Sequence, residues 1–170
     1  MSVGQSPPRA ARRKKANGQS LVLVALILPF MVALILTGIE ISERYWEKAA
    51  IEDALQGATR SSVQNFRYSA FAQNSQSLDA TRVSDVAQST FITNLTGLRG
   101  LVQAPAAVAG QVTWIVLPSV GTCTFPNGHP SVSATTPMVC ATVSVRMTGL
   151  LGWGEWAPHI DAASTLDAVP

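Results

Sequence analysis

Charge is the first thing missing from this sequence. No acidic residue precedes Glu40, and no residue of either sign lies between Lys15 and Glu40. Histidine and cysteine are scarce too, with only His129, His159, Cys123 and Cys140. A zinc site needs more ligands than the two cysteines and the nearby His129 supply, so no metal centre is expected. Each histidine neighbours a proline in predicted loop, and no Ser/His/Asp or Cys/His arrangement is legible. His159 and Asp161 stand two residues apart, a pairing that brings no nucleophile. Neither a GxGxxG pattern nor a phosphate-binding loop occurs. The chain is therefore read as non-catalytic, with no cofactor and no small-molecule substrate.

What fills the charge-free interval is apolar. The run 21–39, opening on Leu21 and closing on Ile39, is 19 residues long. As a helix it would span about 28 Å, close to the ~30 Å hydrocarbon core of a bilayer. A cleaved secretory signal has a shorter apolar core and a small-x-small cleavage site. This run instead passes into Glu40, Ser42, Glu43 and Arg44. A buried core helix would be shorter and would lack the lopsided basic flank of Arg9, Arg12, Arg13, Lys14 and Lys15. A membrane-spanning helix is the reading that fits length and flank together. Pro29 lies mid-span and should kink it.

Orientation follows from the flanks. Five cations precede the run, and a mixed, slightly acidic segment follows it, so residues 1–18 should be cytoplasmic and residues from about 40 onward extracytoplasmic. In a bacterial setting that is a single-pass inner-membrane protein. The formal charge of +2 comes from this tail: without those five residues the remainder carries −3. The other seven cations are scattered among ten acids, which is not a nucleic-acid footprint. Outside the cytoplasm two cysteines point to a disulfide between Cys123 and Cys140. It would close a loop of about 17 residues and contribute ~3 kcal/mol.

The helix should continue past Glu40 to about Phe66. Residues 40–66 hold no proline and one glycine, and Ile51, Ala54, Leu55, Ala58, Ser62 and Phe66 form a helical stripe. Tyr45 and Trp46 fall just past the acidic edge, where they could sit at the membrane interface or pack on a domain. After a polar loop over 67–78, the spacing of Val83, Val86, Ala87, Phe91, Leu95 and Leu98 predicts a second helix. Ser77 or Asp79 would cap it, and Gly97 and Gly100 would end it. Residues 102–110 read as a connector.

The period then changes. Gln111 to Leu117 reads as a strand ended by Pro118. From Met138, Val139, Ala141, Val143, Val145 and Met147 alternate with Cys140, Thr142, Ser144, Arg146 and Thr148. That is the pattern of one half-buried strand with a polar outer face. A last strand is expected over about 163–169. The fold class is α+β: a leader over 1–18, a transmembrane helix over 19–40, a helical extension over 41–66 and a small domain over 67–170.

Gly18, Pro29, Gly38 and Glu40, with the alanines 49, 50, 54 and 58 beyond them, carry a resemblance. In this respect residues 12–65 are similar to the TadE/TadG-like minor pilins (pseudopilins) of tight-adherence (Flp) pilus systems. In that family a basic leader ends in Gly, a hydrophobic helix with a mid-span Pro follows, and a Gly-x-Glu pattern marks the outer membrane edge. The resemblance implies a non-catalytic, membrane-anchored structural subunit whose partners are the lipid bilayer, other pilin-like subunits and pilus-assembly machinery. It also implies a prepilin-peptidase site between Gly18 and Gln19. Family members carry Glu five residues after the Gly; Leu23 stands there in this chain. A permanently anchored subunit is therefore the alternative to a cleaved one. A different class of function is a signal-anchored extracytoplasmic domain that binds cell wall, sugar or protein, with Trp153 and Trp156 as the contact residues.

Overall fold

The computed structural model describes residues 16–65, 77–126 and 130–166, with side chains from Leu21 onward. Helix α1 spans Ala16–Val63 with Pro29 inside it. Phe66, the expected end of this helix, lies outside the described residues. The chain divides into two compact units, Met1–Ile41 and Ser42–Pro170. The first has no described element other than the start of α1. Among its described residues the second has the remainder of α1, helices α2 (Ala80–Leu95) and α3 (Pro105–Ala109), and seven strands.

Within Ser42–Pro170 the core begins on α1. Ile51, Ala54, Leu55, Ala58, Thr59 and Ser62 are buried, and their three- and four-residue spacing places them on one helix face. Two of these are hydroxyl residues, each satisfied locally. Thr59 Oγ1 lies 2.9 Å from the Gln56 carbonyl and 2.8 Å from Ser164 Oγ, and Ser62 donates to the Thr59 carbonyl at 2.8 Å. Helix α2 contributes Val83, Ala87, Phe91 and Leu95. Gly57 lets the two helices approach: a Cβ there would stand 3.2 Å from Asn94 Nδ2, which donates to the Ala54 carbonyl at 3.4 Å. That contact explains a glycine in mid-helix, where it costs ~1 kcal/mol relative to Ala.

The start of α2 follows the sequence expectation. Asp79 is its N-cap, and its side chain accepts from the Arg82 N–H at 3.4 Å. Val86, placed on the apolar stripe by spacing, is only partly buried. Gly97 and Gly100 follow the helix with φ of 93° and 80°, a region open to glycine at little cost. At Gly100 a Cβ would also run into the Glu47 carboxylate. The supposed connector over 102–110 contains α3, which begins on Pro105 and buries Val108 and Ala109. Proline suits that first position because its missing N–H has no helical partner there.

Three strands form the main sheet in the order β1 (Thr113–Leu117), β4 (Met138–Ser144), β7 (His159–Thr165), all antiparallel. Thr113 pairs with Thr142 on one side of β4, and Ser144 pairs with His159 on the other. One face of β4 presents Ala141 and Val143 to the core of Ile51, Leu55, Ala58, Phe91 and Leu95. Phe91 meets Trp114 edge to face, with ring centroids 6.3 Å apart.

The expected polar outer face of β4 is corrected by the structure, since Met138, Cys140 and Thr142 are buried as well. The cause is a second layer. Strands β2 (Gly121–Cys123) and β3 (Val132–Ala134) form their own hairpin. Cys123, Phe125, Met138 and Cys140 then cluster with Ile115, Leu117, Ala134 and Ala163 in a smaller core. Cys123 and Cys140 are bonded as a disulfide within it, their Cα atoms 6.5 Å apart and inside the usual range for such a bridge.

The single strand expected from Met138 to Thr148 is also corrected. It stops at Ser144, and β5 (Met147–Thr148) pairs instead with β6 (Glu155–Trp156). Pro158 supplies the reason. The register that pairs Ser144 with His159 brings Val145 to Pro158, whose carbonyl accepts from the Val145 N–H at 3.3 Å. Proline has no N–H to return, so the ladder ends there. Strand β7 consequently starts earlier than the 163–169 expected, and residues 167–170 lie outside the described residues.

Two substitutions test this account. Phe91→Ala should lower the unfolding free energy by about 3–5 kcal/mol. Asp79→Ala should lower it by about 1 kcal/mol. Equilibrium denaturation of the detergent-purified chain measures both, and equal effects would show that α2 is not held mainly by its buried face.

Candidate functional site

The apolar run lies bare along α1. Every side-chain position from Leu21 to Ile39 is exposed except Thr37, which is intermediate; Leu21, Leu26 and Phe30 are 72%, 73% and 65% exposed. Among the described residues this is the one helix long and apolar enough to cross a membrane. Thr37 donates its hydroxyl to the Ala33 carbonyl at 2.8 Å, which satisfies the run's one polar side chain without water. Gly18 and Gln19, the residues flanking the expected cleavage bond, are both within α1. Glu40, which closes the run, is buried.

Just beyond it, Tyr45 and Trp46 are 72% and 78% exposed. Packing on the domain, one of the two roles open to them, is thereby excluded. Glu43, within a turn of both, accepts a hydrogen bond from the Leu150 N–H at 3.0 Å. The Arg44 guanidinium lies 6.0 Å over the Trp156 ring, at the outer limit of a cation–π contact. The β5–β6 hairpin thus meets α1 at two points, one in its loop and one on β6.

The structure separates the two tryptophans that the sequence placed side by side. Trp156 belongs to β6 and packs partly buried against the main core. Trp153 sits in the loop between two glycines of positive φ, Gly152 at 64° and Gly154 at 104°, and is 54% exposed. The division follows from the strand pairing of Trp156 and the glycine-framed loop that holds Trp153. Across the same hairpin Arg146 and Glu155 form an exposed ion pair.

A different group is assembled that sequence spacing did not bring out. Ser144 Oγ lies 2.9 Å from His159 Nδ1, and Thr142 Oγ1 lies 2.9 Å from Nε2. Asp161 Oδ1 is 3.2 Å from Nε2. All four residues are on paired strands, Thr142 opposite Asp161 and Ser144 opposite His159. The signal lay in register, which joins residues distant in sequence. A hydroxyl, an imidazole and a carboxylate in series are components of nucleophilic catalysis, which also requires donors aimed at a developing oxyanion. Here both ring nitrogens tie β4 to β7 beside a cavity of about 250 Å3. Among the described residues, no cluster of three or more His, Cys, Asp or Glu side chains could hold a metal ion. His129, the other histidine, lies outside the described residues.

Comparison with known protein families, curated proteins and solved structures found no match to this chain.

The role of the imidazole can be measured. Removing its hydrogen bonds in His159→Ala should cost about 1–3 kcal/mol of stability. A serine-directed phosphonate should label Ser144 no faster in the unsubstituted chain than in this variant. Labelling that depends on His159 would reveal an active nucleophile instead of a strand tie.

Proposed function

We propose that this chain is a membrane-anchored, non-catalytic pilin-like subunit of a tight-adherence pilus or a related secretion or assembly apparatus. The observation that carries the anchor is the exposed apolar run, bare on every side and internally satisfied at Thr37. Such a surface is stable in lipid and costly in water. The pilin-like character rests on the residues that resemble the TadE/TadG-like family: the basic leader, Gly18, Pro29, Gly38, Glu40 and the small-residue continuation. On this reading the N-terminus is cytoplasmic, the α+β unit is extracytoplasmic, and the disulfide matches an oxidising compartment.

The subunit takes one of two forms. In the first, cleavage between Gly18 and Gln19 releases an N-terminus able to join other pilin helices. In the second, Leu23 leaves the chain without the carboxylate that would meet a neighbour's N-terminus in lipid, and the protein stays as a permanent anchor. A second class of function, a signal-anchored domain that binds a cell-wall polymer or protein, draws support from the exposure of Trp153.

The chain should remain in the membrane pellet after alkaline carbonate extraction, and external protease should reach the α+β unit only from the extracytoplasmic side. Intact mass of the membrane-purified protein then separates a chain lacking residues 1–18 from a full-length anchor. Deleting the gene should impair piliation, surface attachment or secretion; intact assembly in the deletion strain rejects the pilus role. Co-purification of a cell-wall polymer in place of assembly proteins favours the binding-domain reading.

A further inference from the structure

The loop joining β5 to β6, residues 149–154, reads Gly-Leu-Leu-Gly-Trp-Gly and has no polar side chain. Loops on a water-facing surface ordinarily carry polar turn residues. This one presents Leu150 and Trp153 outward, 65% and 54% exposed. The Gly152 N–H bonds back to the Gly149 carbonyl at 3.1 Å, which closes a tight turn with both leucines at its tip. The positive φ of Gly152 and Gly154 holds the backbone on either side of Trp153 in a conformation that an L side chain rarely adopts. Exposure of these apolar groups is thus built into the backbone.

Position narrows what they face. The Leu150 N–H is bonded to Glu43, and Glu43 stands four residues after Ile39, the last residue of the apolar run. Tyr45 and Trp46, both strongly exposed, lie within one turn of Glu43 on the same helix. The described unit Ser42–Pro170 exposes few large apolar side chains, and Tyr45, Trp46, Leu150 and Trp153 are four of them. Amphipathic aromatics at the end of an apolar run match the preference of Trp and Tyr for the boundary between headgroups and acyl chains.

We propose that the 149–154 loop inserts into the outer headgroup layer of the bilayer that α1 crosses, with Leu150 and Trp153 as a second membrane contact beside Tyr45 and Trp46. This rests on the membrane-anchor reading above. The occupant is the lipid surface. A second copy of the chain or another subunit would leave Trp153 shielded from water but out of reach of lipid.

The test uses the full-length chain in vesicles of phosphatidylethanolamine and phosphatidylglycerol, some made with acyl chains brominated near the headgroup. Tryptophan emission is compared between the unsubstituted chain and Trp153→Phe, and between single-tryptophan forms that retain Trp153 or Trp46. Trp153 projects from a loop, so its replacement should leave the thermal midpoint unchanged, which keeps the comparison valid if the single-tryptophan forms fold poorly. Trp153 should emit at shorter wavelength in vesicles than in urea and lose emission in brominated lipid, and in Trp153→Phe the total loss should fall to that of the form retaining Trp46 alone. If Trp153 is unquenched while the chain resists carbonate extraction, the loop contact is overturned and the anchor stands. Protection of Trp153 from aqueous acrylamide without lipid quenching overturns it in favour of a protein partner. A chain that carbonate strips from the vesicles overturns both readings.

Discussion

A helix that is apolar on every side needs an apolar medium, whereas a helix apolar on one side needs only a partner surface. Helix α1 makes the change from the first condition to the second over the few residues between Ile39 and Ile51. Before it, side chains in all directions are apolar and exposed but for Thr37; after it, Ile51, Leu55 and Ala58 recur on one face and are buried. The interior of Ser42–Pro170 depends on that second stripe. The α2 residues Phe91 and Leu95 and the β4 residues Ala141 and Val143 meet it in one continuous core.

A sheet of only three main strands cannot leave both faces of its central strand open. On β4 the helices close one face, and the hairpin of β2 and β3 closes the other through Cys123 and Phe125. The second layer is small, and four buried residues supply little hydrophobic area. The Cys123–Cys140 bridge compensates. Closing 17 residues of sequence removes conformational freedom from the unfolded chain worth ~3 kcal/mol, comparable to burial of one large side chain. Covalent closure and burial coincide on Cys140, which accounts for a cysteine on the face of β4 that the sequence pattern marked as polar.

The features legible in the sequence are those set by near neighbours. The length of α1, the Asp79 cap, the apolar spacing of α2 and the strand ending before Pro118 all follow from residues within a few positions of one another. What was not legible depends on register between distant segments. Alternation along 138–148 showed two faces but could not say that the polar one would be covered. Pro158 stops the β4–β7 ladder at Val145, thirteen residues earlier in the sequence, only because the register brings the two together. The same register sets Ser144 and Thr142 on the imidazole of His159. Trp153 and Trp156 look equivalent in a Gly-Trp-Gly-Glu-Trp string, and they part because one belongs to a paired strand and the other to a glycine-framed loop.

A single spanning helix fixes depth in a membrane more firmly than it fixes tilt, which is set by packing and by residues at the interface. On the proposed reading the boundary of this protein has anchors of two kinds. Tyr45 and Trp46 are borne by α1 itself, whereas Leu150 and Trp153 come from a loop far away in sequence and are held to α1 through Glu43. Two contacts at separate points resist rotation about the helix axis as one cannot. The Glu43 bond then has a second consequence. On that reading it holds the lipid-facing loop to the same stretch of α1 that bears Tyr45 and Trp46.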